Sequence, residues 1–511
     1  MPMITRRSLL ASTAALGATA TFGLRAAPRA FAAEPQQLHI PELIDARQRG
    51  NGISLKAQTG RTAFFPNLES VTRGFNGSYL GPTLRLHRGD EIEMAVTNGM
   101  RDRTAVHWHG LLLPAEADGG PHQMIQPGAT WRPQVKVDQP AATLWYHAHV
   151  HHDTARQVYS GLAGMILIAD DAEQALGLPS DYGVNDIPLI LQDKLFEHEQ
   201  LAYPNHPMVA MHGLRGDTFL VNGTPNAVAR VPAGLARLRL LNASNARVFD
   251  LSFSDGRLFH WIATDAALLE KPVERRSLWL APGERAEVLV DFSDRRGVAL
   301  RTNPDPTLGM GMMGMMGMMG GMRVMAEPLG GAAEILHFEP HGSGTAPRPI
   351  PRHLVAQERL DPGKAVRRRR LVLTMGPGMM GRGDRTSGIT GRGMRPGGTG
   401  GMMEMFGING RPYDMERIDQ AVRLGDTEIW EVTGEMMAHP FHMHGVHFEV
   451  LSRAGSQPTI SDRGLKDTVL VQEPVELLVR FTQPAATFPF VYHCHTLEHE
   501  DRGMMGQFKT V

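Results

Sequence analysis

The sequence contains one cysteine in 511 residues, Cys494. A lone thiol cannot form an internal disulfide, so no disulfide framework organises this fold, and the residue is either inert or put to use. Long hydrophobic runs are absent too. No stretch reaches the roughly 18 apolar residues of a membrane span, so the mature chain is expected to have no membrane partner. Excess charge of either sign is also missing. Lys and Arg number 52 against 53 for Asp and Glu, a balance that predicts no nucleic-acid or anionic-membrane partner. The short run Arg367 to Arg370 reads as a solvated strand start.

Helical periodicity is scarce as well, which excludes a helix bundle. Short alternating runs take its place, such as Glu91-Ile92-Glu93-Met94-Ala95-Val96 and Arg237-Leu238-Arg239-Leu240-Leu241, broken by Gly, Pro, Asn and Asp. That pattern predicts an all-β chain of sandwiches. At roughly 100 to 200 residues per domain, its length corresponds to about three domains. Internal repeats agree. Gln139-Pro140-Ala141-Ala142-Thr143 recurs as Gln483-Pro484-Ala485-Ala486-Thr487, and each copy leads through an aromatic residue into a His-x-His. Gly89-Asp90, Ile92 and Val96-Thr97 are echoed by Gly425-Asp426, Ile429 and Val432-Thr433. The middle of the chain carries fainter echoes, Arg239 to Ser244 and Ala281-Pro282-Gly283-Glu284. Three copies of one sandwich are expected at 33–172, 182–330 and 366–511, the middle one acting as a spacer.

Residues 1–32 read as a twin-arginine export signal. Thr5-Arg6-Arg7-Ser8-Leu9-Leu10 precedes a mostly apolar stretch to Ala20, and Ala30-Phe31-Ala32 supplies small residues for cleavage. The export machinery is then a transient partner, and the mature protein belongs in the periplasm. Two segments break the sandwich pattern. Gly309 to Met325 and Met375 to Met405 hold sixteen of the thirty methionines on a glycine-rich background. Thioethers are soft ligands that select Cu(I).

The histidines are not scattered. With 23 in 511 residues, chance predicts about one His-x-His. There are five: His107/His109, His147/His149, His149/His151, His442/His444 and His493/His495. Four lie in the first and third repeats in matching contexts. On a strand, residues i and i+2 project from one face, so each pair presents two imidazoles side by side. Eight imidazoles suit a cluster of three coppers. Cys494 lies between His493 and His495 and faces the other way. Together with His439, His499 and Met504 it supplies the two His, one thiolate and weak axial Met of a blue-copper site.

At these residues the chain resembles a known family. His107-Trp108-His109-Gly110, Trp145-Tyr146-His147-Ala148-His149, His439-Pro440-Phe441-His442-Met443-His444-Gly445 and the run from His493 to Met504 are similar to the four copper-binding motifs of multicopper oxidases. Bacterial periplasmic cuprous oxidases of copper efflux, and laccases, are the nearest likeness. The resemblance implies three cupredoxin-like Greek-key β-sandwich domains and a monomer holding four copper ions. The type 1 copper would take His439, Cys494, His499 and Met504; type 2, His107 and His442. One type 3 copper would take His109, His147 and His495, the other His149, His444 and His493. His151, His152 and His447 are left over as satisfied or solvent-facing. Asp118 and Glu500 match acids that relay protons to dioxygen. A substrate Cu(I) would sit at Met375, Met380, Glu435 and Met437, although Met380 and Glu435 both stand where the family has aspartate. The resemblance implies Cu(I) oxidation coupled to dioxygen reduction. Its alternatives are a laccase acting on small aromatic reductants, and a copper-binding or division-associated scaffold, although scaffold relatives lose these ligands.

Overall fold

The structure, a computed structural model, describes residues 34–66, 68–308, 332–342, 349–375 and 406–511. The expected export segment, the stretch 309–325 and residues 376–405, Met380 among them, lie outside the described residues. Strands dominate. The longest described helices have six residues, and none is long and apolar enough to cross a membrane.

The described strands form six sheets that assort along the chain in pairs. The first pair joins Leu43–Asp45, Thr83–His87, Ala163–Ala169, Ala142–Ala148 and Val106–His107 in one sheet and Leu68–Phe75, Gly52–Phe65, Glu91–Asn98, Thr130–Trp131 and Gln134–Lys136 in the other. The last pair joins Phe406–Ile408, Arg367–Met375, Thr427–Gly434, Val475–Arg480 and Phe448–Arg453, facing Gln420–Val422, Met505–Thr510, Phe490–Cys494, His439–Met443 and Thr468–Val471. Each pair closes on its own apolar core. Ile53, Ile92, Leu84 and Ile166 share one, and Leu371, Trp430, Leu477 and Phe508 share another. The middle sheets run from Asp186–Glu197 through Ala333–His341, so their last strand lies beyond the expected limit at 330.

Several of the described strands depart from in-out alternation and are buried on both faces, among them Ala142–Ala148, His439–Met443 and Phe490–Cys494. One face of each of these three fills its sandwich core. The other is covered by a different part of the chain, and that side carries His147, His442 and His493, whereas His439 shares the core side with Phe441 and Met443.

A buried charge network ties the first and middle parts together. Glu287 accepts hydrogen bonds from Thr143 (2.7 Å), Arg237 (2.7 Å) and Arg239 (3.0 Å), while Arg239 also grips Asp186 at 2.6 and 3.0 Å. Burial would raise the Glu287 carboxyl, but the two guanidinium charges outweigh it and hold the group at about 2. Removing one partner of such a network leaves the others buried and unpaired. Glu287→Ala should therefore cost about 3–5 kcal/mol in denaturant unfolding. An unchanged midpoint would show that the network contributes no stability at this junction.

Candidate metal centre

Strand register brings the histidines together. In the first part His147 pairs directly with His107, and in the last part His442 pairs with His493. Directly opposed residues have Cβ atoms about 5 Å apart, so each sheet presents a compact patch of imidazoles. The two patches interleave. His107 stacks on His444 at 3.6 Å between ring centroids, and His109 stacks on His442 at 3.7 Å.

One ring nitrogen of most of these histidines is tied back to an acceptor, so the other points inward. The Nδ1 of His107 donates to the Asp118 carbonyl, that of His442 to the Asp467 carbonyl, that of His147 to Ala148 and that of His493 to Cys494, all at 2.9–3.1 Å. His444 donates to an oxygen of the Asp118 carboxyl group at 2.7 Å. The free nitrogens converge: Nε2 of His107 lies 3.4 Å from Nε2 of His442, and Nε2 of His493 lies 3.2 Å from those of both His149 and His444. Ligand atoms fall within 4.8 Å of one another in three all-histidine groups, His107/His109/His442, His109/His147/His495 and His149/His444/His493.

A fourth group, His439/Cys494/His499, lies on the opposite face of the His493–His495 strand. Its histidines donate Nε2–H to the carbonyls of Glu435 and Met211, both at 3.0 Å. Their Nδ1 atoms are left facing the Cys494 sulfur at 3.5 and 3.6 Å. Met504 is fully buried in the same core cluster, and its carbonyl accepts from the Cys494 amide at 3.0 Å.

The chemistry of this donor set fits copper. Burial pushes the Cys494 thiol up to about 12, so a thiolate there needs a bound cation. Both ring nitrogens of His495 are buried without a hydrogen-bond partner, a cost that a metal ion would relieve. Soft sulfur with imidazole favours copper, and the all-imidazole groups suit it as well.

The acids are interior groups. Asp118, on the short helix Ala115–Asp118, and Glu500, on Leu497–Asp501, are almost fully buried. Glu500 lies 3.2 Å from His493 Nδ1 and 3.7 Å from His149 Nδ1. Burial holds both carboxyls well above their usual range, with Asp501 adding to the effect on Glu500. Among the substrate-copper candidates, Met375 is buried and its amide donates to the Glu435 carboxylate at 3.2 Å. Met437 packs partly buried against the core cluster that holds Cys494 and Met504. His447 is buried and bonded to the Gly110 carbonyl, and His152 is exposed.

Models of the multicopper oxidase family match residues 56–173 and 387–511. The chain belongs to the multicopper oxidase family. Among solved structures it is similar to the laccase-like multicopper oxidase CueO of the lignin-degrading bacterium Ochrobactrum sp., with 37% identity, a TM-score of 0.79 and coverage of 93% of this chain and 100% of that one. A multicopper oxidase of Campylobacter jejuni described as a metallo-oxidase shares 27% identity at a TM-score of 0.77, covering 93% and 95%. Among curated proteins it is 36% identical to the cell division protein FtsP of Escherichia coli K12 over 93% of each chain. The FtsP of Xenorhabdus nematophila is 37% identical over 94% of this chain and 93% of that one. Family membership makes copper binding and a cupredoxin-like fold properties of this chain.

Sequence reading missed the groups that hold the ligands in place. Met211 supplies an acceptor for His499, and Asp467, Thr468 and Arg285 surround His109 and His442. One signal was present: Lys466 and Asp467 lead directly into the apolar strand Thr468–Val471. The spacer expectation for the middle part also fails, because Arg285 clamps Asp467, the acceptor for His109, and the backbone at Gly283 lies against the His495 ring. A Cβ on Gly283 would approach that ring to 2.9 Å.

Nine buried histidines, His107, His109, His147, His149, His439, His444, His493, His495 and His499, are held below the usual imidazole range, by burial above all. The unfolded chain binds more protons than the folded one below about pH 6.5, so these groups make stability rise with pH up to that point. Five buried carboxyls held high, Asp118, Glu284, Glu498, Glu500 and Asp501, push the opposite way but are fewer. Metal-free protein should therefore have a higher unfolding midpoint at about pH 6.5 than at about pH 4.5. A flat or falling midpoint would refute the buried neutral imidazoles.

Proposed function

We propose that the protein is an exported, periplasmic, monomeric oxidase of three cupredoxin-like domains that couples oxidation of Cu(I) to reduction of dioxygen. Four Cu(I) ions give up one electron each, and one dioxygen with four protons becomes two waters. The observation that carries this reading is the single strand whose Cys494 belongs to one donor group while its neighbours His493 and His495 belong to two others. Copper, when bound, would supply the one-electron transfers and the reduction of dioxygen. His439, Cys494, His499 and Met504 would hold one ion, and the eight paired histidines would hold three.

The protein's own groups do the rest. With copper held on both sides, the backbone from Cys494 to His493 and His495 would be a short covalent path for electrons. Glu500 and Asp118, whose carboxyls burial raises well above their usual range and which are hydrogen-bonded or adjacent to histidines of the cluster, would hold protons where dioxygen is reduced. At the electron-entry side, the Glu435 carbonyl accepts from His439 while its carboxylate accepts from the Met375 amide. Met375, Glu435 and Met437, with Met380 outside the described residues, thus form a sulfur-and-carboxylate approach to a copper ligand. Uncharged thioethers can hold Cu(I) without the cost of burying a further carboxylate.

Two other readings have observations behind them. The Ochrobactrum relative is described as acting on lignin model compounds, which favours a laccase. The FtsP relatives carry a cell-division name, and a scaffold would need no chemistry. Oxygen uptake by the copper-loaded protein with Cu(I) and with a phenol separates the first two. Cu(I) is expected to be the better reductant, and Cys494→Ser should abolish uptake with either. Faster phenol oxidation would make the protein a laccase, and no uptake at all would leave the scaffold.

Glu500→Gln should still be reduced anaerobically by Cu(I), since the electron-entry side is intact. Its reoxidation by air should slow by about 100-fold or more, the contribution of a positioned general acid. Unchanged reoxidation would remove Glu500 from proton delivery.

A further inference from the structure

The first, middle and last parts of the chain meet at one fully buried carboxylate that the proposed chemistry does not use. Asp467, at the start of Thr468–Val471, accepts from His109 Nε2 at 3.0 Å. Arg285, from the middle strand Arg285–Asp291, clamps the same carboxylate with two contacts, 2.8 Å to Oδ1 and 2.5 Å to Oδ2. The adjoining Thr468 hydroxyl donates to Asp467 at 2.8 Å, which leaves its oxygen to face His109 Nε2 and His442 Nδ1, each at 3.2 Å. His442 Nδ1 also donates to the Asp467 carbonyl at 2.9 Å.

The geometry points to Asp467 and Arg285 as positioning residues for the three-copper cluster, a role that rests on the oxidase reading above. His109 differs from its neighbours in turning Nδ1 inward, 3.4 Å from His147 Nε2. It can do so only if Nε2 keeps the proton and finds an acceptor, and Asp467 is that acceptor. The Asp467-Thr468 pair therefore fixes the tautomer of His109 and of His442, whose rings are stacked together. A buried carboxylate needs its own partner, and Arg285 provides one in bidentate form. Arg285 is itself pinned by the carbonyls of Thr143, Gly283 and Asp265 at 2.9–3.1 Å. The backbone is fitted to this clamp. Gly110, next to His109, has φ +92°, and a Cβ there would approach Arg285 Nη2 to 2.7 Å and Asp467 Oδ2 to 2.8 Å. The middle part of the chain thus completes the cluster's support.

The test is copper retention against a chelator, with the type 2 electron paramagnetic resonance signal and the blue type 1 absorption read on the same samples. Asp467→Asn and Arg285→Met should keep the type 1 absorption while losing cluster copper about 10–100-fold more readily, the usual effect of removing a group that orients a metal ligand. Arg285→Lys, which preserves the charge and one contact, should restore part of that loss. If Asp467→Asn fails to fold, Thr468→Val decides, because it keeps the shape and removes the hydroxyl; it should alter the type 2 signal alone. Cluster copper retained as in the wild type with an unchanged type 2 signal would overturn the proposal. So would loss of type 1 and cluster copper together in every variant, which marks a merely structural role. A wild-type protein that holds type 1 copper but no cluster copper would instead overturn the oxidase reading on which the proposal stands.

Discussion

Imidazole can be buried and still offer a lone pair only if its other nitrogen finds an acceptor, and the centre of this protein is built around that requirement. The carbonyls of Asp118, Ala148, Asp467 and Cys494 and the carboxyl groups of Asp118 and Asp467 meet it for six of the eight histidines facing the cluster, His149 and His495 being the exceptions. The carbonyls of Glu435 and Met211 do the same beside Cys494. Most of these acceptors are backbone atoms, so the tautomers are set by strand geometry. Strand pairing that opposes His107 to His147 and His442 to His493 therefore fixes ring position and ring protonation together.

The same economy separates the two kinds of donor group. Side chains alternate along Phe490–Cys494, so the thiol enters the core of the last sandwich while its neighbours leave it. The opposite face is buried as well, because the first and middle parts of the chain cover it. A strand buried on both faces is thus a consequence of having a donor group on each side.

What the sequence reveals is whatever is local. The His-x-His pairs, the lone Cys494 between two histidines, and His499 and Met504 downstream are all visible as spacing, and the structure gathers the histidines and the thiol into tight groups. The repeats of Gln-Pro-Ala-Ala-Thr likewise mark the first and last sheet pairs. The support of the site is invisible at that level. Met211, Arg285 and Asp265 lie far in sequence from the histidines they serve, and no period or motif connects them. The middle part reads as a spacer because it has no paired histidines, yet it contributes charge and backbone where spacing carries no signal. Its final strand, Ala333–His341, follows the methionine-rich stretch and for that reason falls past the limit drawn from composition.

The carboxyls around the cluster are not equivalent, and the difference is electrostatic. Asp118 and Glu500 are buried with no lysine or arginine of the described residues paired to them, and burial raises both carboxyls well above their usual range. Both lie by the group His149/His444/His493: Asp118 bonds to His444, and Glu500 adjoins His149 and His493. Asp467 is equally buried, but the Arg285 charge outweighs the cost of burial and holds it well below the usual carboxylate range. It lies by the other side, at His109 and His442. A carboxylate clamped by a guanidinium has no proton to give, and a neutral acid has a weaker hold on an imidazole N–H. In the proposed oxidase the acids therefore take separate roles, proton supply for the two without a counter-charge and orientation for the one that has it.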